Sequence, residues 1–399
     1  MKKIVYLCGM MLLSMNMMAQ IDLYDKNWKK TFSDEFTETG RSWVNWSSSP
    51  DKKWRGYSGS RVTGGKCEHQ VYQYSHCHFC PVEGTMKLVS EYCDTIWKNT
   101  YPLPGWMHNN YPPSDSLFYF SGEIDARKDS IYCQQDSLGF LYGYFEIRCK
   151  LPQHKGTFPA FWLHGAYKDT IDASNNYYEE IDIFEHSRNL LHTNPHWPGY
   201  IPPPESDSAR VFSTGVYHNL SGLHPNFDTE SFARDFHLVP LLSNDLSDWH
   251  TFSCEWMPDH VYWYFDENLV NSYFNKEHIP CHAMVLKTNY AIDDYAIYKP
   301  TNQPVWLGSD VMTIDYIRVY QLNWDCDTDE VITCQNDLNS FIVHPSVKNS
   351  ISIASINGTI TVGNTDKVTF RVADTFEITG PFQADCGCEF TVIRQDCPN

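Results

Sequence analysis

Residues Glu180-Ile181-Asp182-Ile183-Phe184-Glu185 put three carboxylates into one short run. On a β-strand, side chains alternate between faces, so Glu180 and Asp182 share one face and plain parity sends Glu185 to the other. The consecutive apolar pair Ile183-Phe184 predicts one extra residue, a β-bulge, which returns Glu185 to the face of the other two. A half-exposed edge strand with solvated acids is the bland counterpart. Crowding like charges on one face costs free energy, however, and such a cost is tolerated where it is used. Glycoside hydrolysis with retention uses it: two carboxyls about 5–5.5 Å apart, one nucleophilic and one protonated. In that chemistry Glu180 attacks the anomeric carbon, and Glu185 protonates the leaving oxygen and then activates water. Asp182 orients Glu180 and shares its proton.

The rest of the chain must position that strand. Short alternating runs dominate from residue 20 to about 321, among them Met86–Ser90, Tyr142–Lys150, Phe252–Trp256, Val261–Phe265 and Thr313–Tyr320. They end at Gly, Pro, Asn or Asp, and no long segment keeps a 3.6-residue apolar period. The pattern predicts an all-β sandwich. Two Pro-rich, aromatic stretches interrupt it, Asp94–Ser116 and Ser187–Ser208, with Trp97, Trp106, Tyr111, Trp197 and Tyr200. Loops that long inside a compact domain are commonly functional, and their rings suit the walls of a cleft. Aromatic residues make up 15% of the chain, which fits sugar faces stacking on rings and equally fits a β-rich core.

The strands around the acids resemble glycoside hydrolase family 16 in its β-bulge form. The hexapeptide carries the resemblance first. Phe32-Ser-Asp-Glu-Phe36 resembles the entry strand of that family. Tyr142-Gly-Tyr-Phe-Glu-Ile-Arg-Cys-Lys-Leu-Pro152 and Gly156-Thr-Phe-Pro-Ala-Phe-Trp-Leu163 resemble the strands before the catalytic one. Trp249-His-Thr-Phe252, Glu255-Trp-Met-Pro-Asp259 and Val261-Tyr-Trp-Tyr-Phe-Asp266 resemble those after it, and Met312-Thr-Ile-Asp-Tyr-Ile-Arg-Val-Tyr320 the closing strand. The resemblance implies a concanavalin-like β-jelly-roll of two curved antiparallel sheets whose concave face holds a cleft. It implies Glu180 as nucleophile, Asp182 as helper acid and Glu185 as acid/base. It also implies Trp162, His218, Trp256 and Trp263 as substrate-binding residues. Catalysis in the family needs no cofactor, but a structural calcium ion is implied between the entry and closing strands, with Glu35 and Asp315 as its carboxylates. Gly122-Glu-Ile-Asp-Ala126 repeats part of the acidic motif without its second Glu, so Glu123 and Asp125 are expected to be structural.

Substrate is less constrained. Glu179 stands where β-1,3-glucanases of the family carry Gly, and Trp-Pro is missing before the strand. A β-1,3- or mixed-linkage glucan leads. Agar, porphyran, carrageenan or host-type galactose-containing chains stay open, with Arg188 and Lys155 as basic residues for sulfated ones. A non-catalytic lectin would have no reason to keep the three acids together. A transglycosylase would share the covalent intermediate with a hydrolase.

Residues 1–19 have the form of a secretory signal peptide: Lys2 and Lys3, an apolar run from Ile4 to Leu13, and Ala19 before Gln20. Export and fourteen cysteines predict disulfides, and losing Cys8 with the leader leaves an odd number. Cys67, Cys77, Cys80 and Cys93, interleaved with His69, His76 and His78, could alternatively bind zinc. The formal charge of −19 argues against nucleic acid and anionic membranes as partners. No later stretch has the length of a membrane span. A polysaccharide or oligosaccharide is the expected partner, met at the cell surface, in the periplasm or outside the cell.

The expected organisation is a catalytic sandwich over 20–322, an acidic linker over 323–340, and a small Cys-containing β module over 341–399. The module segment Val368–Phe382 with Cys386-Gly-Cys-Glu-Phe390 resembles a coathanger-stack repeat of secreted proteins. Cys326, Cys334, Cys386, Cys388 and Cys397 are its expected staples.

Overall fold

The computed structural model describes residues 28–41, 53–56, 59–60, 69–98, 116–126, 139–152, 154, 156–165, 179–186, 211–219, 232–240, 246–276, 279–281, 283–292, 297–298, 303–304, 306–343, 346–356, 358–364, 367–386 and 388–394. The expected leader, most of the two stretches expected to be long aromatic loops, Cys67, Lys155 and Arg188 lie outside them. Among these residues the protein is all-β, with one α-helix at Gln335–Val343. None of the described helices is long and apolar enough to cross a membrane.

Two sheets form the sandwich. Among the described residues the first has eleven strands, centred on Gly143–Lys150 between His250–Trp256 and Ser309–Leu322. The entry strand Trp28–Asp34 pairs with Ser309–Leu322. The second sheet runs Phe232–Pro240, Val211–Asn219, Glu179–Glu185, Thr157–Gly165, Met284–Ile292, Glu123–Ala126 and Trp54–Gly56. All its pairings are antiparallel. The first sheet has one exception, since Gln70–Tyr72 lies parallel to Ser116–Ser121.

Alternation decides which residues meet between the sheets. From the first sheet come Phe145, Ile147, Phe252, Trp256, Trp263 and Phe265; from the second come Phe161, Leu163, Ile181, Ile183, Phe184 and Leu286. Phe184 and Phe252 meet across the interface with ring centroids 4.4 Å apart. Burying one such ring contributes roughly 1.5–3 kcal/mol, so this row fixes the acid strand firmly against the first sheet.

The C-terminal unit begins earlier than its composition predicts. The acidic stretch expected to be a linker is the strand Trp324–Ile332, and it opens a parallel sheet with Val347–Ile353, Lys367–Ile378 and Glu389–Arg394. Its acids suit an outer edge, where charge discourages pairing with other chains. Two further parallel strands, Ile360–Val362 and Phe382–Ala384, form a second short sheet, so successive turns of chain stack on one another. Val347 pairs with Arg371, which pairs with Ile393. Ile351, Ile353, Ile360, Val362, Phe370 and Val372 fill a separate core. The helix covers one end, where the Gln335 amide accepts from Thr361 N at 2.8 Å and donates to Thr361 O at 3.1 Å.

Met257, Leu322 and Val347 are buried together against Trp28 and Trp324, so a shared apolar contact joins this unit to the sandwich where an acidic linker was expected. Cys326 is disulfide-bonded. Cys334, Cys386 and Cys388, expected as staples, are thiols.

Candidate active site

The acid strand pairs with Thr157–Gly165 on one side and Val211–Asn219 on the other. Its register skips: Trp162 faces Asp182, but Phe161 faces Phe184 and Ala160 faces Glu185, leaving Ile183 as the extra residue. The same shift interrupts pairing with Val211–Asn219, where Asp182 faces Gly215 and Glu185 faces Ser213. Ile181, Ile183 and Phe184 turn into the core. Glu180, Asp182 and Glu185 therefore share the face turned away from it. Glu180 and Glu185 are half-buried, and Asp182 between them is 2% exposed.

A bulge interrupts ladder hydrogen bonds, and the freed groups must find other partners. The indole of Trp263 reaches across the core from the first sheet, and its Nε1–H donates to the Asp182 carbonyl at 2.8 Å. The Phe184 ring packs on Phe252 from the same side. The bulge is thus braced from beneath while its acids face outward.

This corrects two expected substrate contacts. Trp256 and Trp263 are fully buried on the first sheet, facing the core. Trp256 donates to the Pro280 carbonyl at 2.9 Å, and neither ring is available to a sugar. For Trp263 the strand neighbours explain the misreading. In Val261-Tyr-Trp-Tyr-Phe265 both faces are aromatic, so alternation does not mark the inward one.

Trp162 does lie on the acid face, directly opposite Asp182, but is 9% exposed. Its indole N–H donates to Asn289 Oδ1 at 2.7 Å, and Asn289 Nδ2 donates to the Tyr72 hydroxyl at 3.0 Å. Lys287 Nζ sits 5.4 Å from its ring centroid. One ring face thus meets a cation, which makes Trp162 a fixed wall beside Asp182 more than an open stacking platform. His218 occupies the position across from Glu179 on the neighbouring strand.

Glu123 and Asp125, expected to be structural, lie on this same face two strands beyond Trp162. They are buried, with Lys287 Nζ 3.8 Å from Glu123 and 3.4 Å from Asp125. The row Asp182, Trp162, Lys287, Asp125 thus crosses four strands in register. Lys287, Asn289 and His164, which stands opposite Glu180, are site neighbours that sequence reasoning missed. Parity on Thr157–Gly165 could have found His164, two residues after Trp162. Nothing local to Lys287 or Asn289 points to the acids.

The carboxylates expected to hold calcium are engaged otherwise. Glu35 accepts from Arg318 Nε at 2.9 Å and from Nη2 at 2.8 Å, and these bonds hold its carboxyl below the usual range. Asp315 accepts from Arg148. Both acids already face guanidinium groups, so this pair does not fit a calcium ion. Among the described residues, no group of three or more His, Cys, Asp or Glu could hold a metal. The described members of the alternative zinc cluster, which exclude Cys67, are likewise not assembled into a metal site. Cys77 points into the core with its thiol donating to the Glu123 carbonyl at 3.7 Å, and burial pushes that thiol far above its ordinary range.

Residues 123–318 match the family model of glycosyl hydrolases family 16. That segment contains the acid strand and every neighbour described above on Thr157–Gly165 and Met284–Ile292. The chain is 26% identical over 191 residues to the endo-1,3-1,4-beta-glycanase ExsH of Rhizobium meliloti (strain 1021), covering 47% of this chain and 32% of that protein. It is 23% identical over 257 residues to a beta-glucanase of Rhodothermus marinus, covering 63% of this chain and 67% of that one. The chain spans 32% of the length of ExsH and of a second Rhizobium meliloti relative, EglC. Among solved structures, the laminarinase catalytic domain from Thermotoga maritima MSB8 is 22% identical with a TM-score of 0.48, covering 74% of this chain and 98% of that one.

Proposed function

We propose that this protein is an exported, endo-acting, retaining glycoside hydrolase of family 16 that cleaves internal β-linkages of a polysaccharide, namely a β-1,3- or mixed-linkage glucan. One observation carries the reading: the bulge that brings Glu185 onto the face of Glu180 and Asp182, within the segment that matches the family model. The activities by which the glycanase and glucanase relatives are known support the choice of glucan.

In this reading Glu180 attacks the anomeric carbon while Glu185 donates a proton to the leaving oxygen. Water, activated by Glu185, then releases the sugar with its configuration retained. Asp182, flanked by Trp162 and held through its backbone by Trp263, keeps Glu180 in place. The C-terminal stack is a spacer or attachment unit of the coathanger kind; its parallel stacked strands support that role.

The test is reducing-end release from laminarin, mixed-linkage β-glucan, agarose, porphyran, carrageenan and mucin-type glycans, with Glu180→Gln as control. Release from a glucan that vanishes in the control is expected. Release from a galactan alone would replace the substrate class. Tight binding to one member without release would make the protein a lectin and remove Glu185 as a working acid.

A further inference from the structure

The strand Thr157–Gly165 carries a histidine that the mechanism above does not use. His164 stands directly opposite Glu180, as Trp162 stands opposite Asp182. Residues paired across antiparallel strands share a face, with Cβ atoms about 4.5–5.5 Å apart. His164 and Glu180 therefore emerge side by side, and both are half-buried.

The imidazole is held from two directions. Its ring meets Trp162 edge-on, with centroids 5.5 Å apart and planes at 87°. Its Nδ1 lies 3.1 Å from the Gly165 carbonyl. A carbonyl only accepts, so Nδ1 carries the proton of this contact, and Nε2 is the nitrogen that gains or loses one.

The charged groups around the pair can be named strand by strand. On the acid strand, Asp182 follows Glu180 on the same face, and Glu185 lies beyond the bulge. On Met284–Ile292, Val285 is opposite His164, while Lys287 lies two pairs further along, opposite Trp162, 3.8 Å from Glu123 and 3.4 Å from Asp125. On Val211–Asn219, the residue opposite Glu180 is Tyr217. Glu180 thus has a like charge next to it along its own strand and an ionisable base next to it across the ladder.

We propose that His164 is a positioning residue for the nucleophile: its imidazolium holds Glu180 ionised against the repulsion of Asp182 and Glu185. The inference rests on the reading of Glu180 as nucleophile and adds what keeps that nucleophile competent in acid. A nucleophilic carboxylate must be ionised before it attacks. A neighbouring acid favours its protonated form, and a neighbouring cation favours the ionised one. The coupling is mutual, so Glu180 also favours the protonated imidazole. Removing the cation makes Glu180 keep its proton to higher pH, and the acid limb of the rate profile moves up.

The experiment has two arms on the full chain. The first is the pH profile of kcat/KM for the wild type, His164→Leu and His164→Lys on the glycan that the panel identifies. The second is an NMR titration of the His164 imidazole in the wild type and in Glu180→Gln, with His164→Leu supplying the assignment. His164→Leu is expected to move the acid limb up by about one pH unit, which is about a tenfold loss at a pH on that limb. Its plateau rate should stay within a few-fold. His164→Lys carries a permanent cation and should keep the limb near the wild-type position. Glu180→Gln should lower the imidazole midpoint by about one pH unit. An unmoved acid limb in His164→Leu would overturn the inference, as would equal losses in both variants at every pH, which marks a packing or sugar-contact role. An imidazole midpoint indifferent to Glu180→Gln would also overturn it, even for a protein that cleaves nothing. Cleavage with an intact Glu180→Gln effect but an unmoved limb would sink this inference and leave the functional reading standing.

Discussion

On the outer face of the first sheet, carboxylates sit beside cations or hydroxyls. Arg318 takes both oxygens of Glu35, and Arg148 takes Asp315. His260 stands between Asp259 at 2.9 Å and Glu255 at 3.3 Å. Burial pushes the Glu146 carboxyl up, and Tyr144 and Arg318 lie nearby. On the outer face of the second sheet, Glu180, Asp182 and Glu185 crowd together along one strand, and the nearby cation Lys287 already faces Glu123 and Asp125. One sheet distributes its charge as a structural surface does. The other concentrates like charge where the backbone is bulged and braced from below. That contrast separates the acids that hold the fold from those that use it.

The sharpest way to break the contrast is Glu185→Gln. It removes the proposed proton donor but not the strand, so polysaccharide cleavage should fall by about 10²–10⁴-fold while the melting temperature stays near wild type. A similar loss from Glu35→Gln in a reducing-end assay would erase the distinction between the two sheets.

Trp263→Phe should have the next largest effect. It keeps the aromatic packing but leaves the Asp182 carbonyl without the indole donor, costing roughly 1–3 kcal/mol of stability by denaturant titration. Activity should fall more than the folded fraction does, because the bulge that aligns Glu180 with Glu185 loosens. Equal falls in both would reduce Trp263 to a core residue.

The smallest effect on catalysis belongs to the first sheet. Burial alone would lower the His260 pKa, but hydrogen bonds to Asp259 and Glu255 outweigh it and raise the value from 6.5 to about 9. A raised value means that the stabilisation is fully present below the unfolded pKa and is lost as pH rises through the folded one. Thermal melts should therefore show the wild type losing at most about 3 kcal/mol between pH 6.5 and 9.5. His260→Gln should flatten that loss without changing the pH profile of catalysis. A flat wild-type curve would show that the ion cluster contributes nothing.

What the sequence revealed follows the same division. The acid strand and its bulge were legible because alternation and the Ile183-Phe184 pair are local signals. The neighbours of the acids were not. His164 follows Trp162 by parity but needs the register of the next strand to meet Glu180, and Lys287 comes beside Trp162 only through pairing with a strand far along the chain, a register set by tertiary packing. Trp263 was placed on the wrong side because the strand Val261–Phe265 is aromatic on both faces, whereas Trp256 shares the inward parity of Phe252 and Cys254, a signal its own strand carried. Glu35 and Asp315 were expected as calcium ligands from the family resemblance alone, and their partners Arg318 and Arg148 come within reach only after the first sheet forms. The acidic run before Val331 resembled a linker because an edge strand and a linker can share a composition, and only pairing with Val347–Ile353 tells them apart.

The central claim is that Glu180 and Glu185 share one face closely enough for a double displacement. The most direct test is time-resolved proton NMR of the first product released from the glycan that the panel identifies. The β-anomer appearing first, and mutarotating later, is the result predicted for retention by this pair. The α-anomer appearing first would mean inversion, and would contradict the nucleophilic role of Glu180.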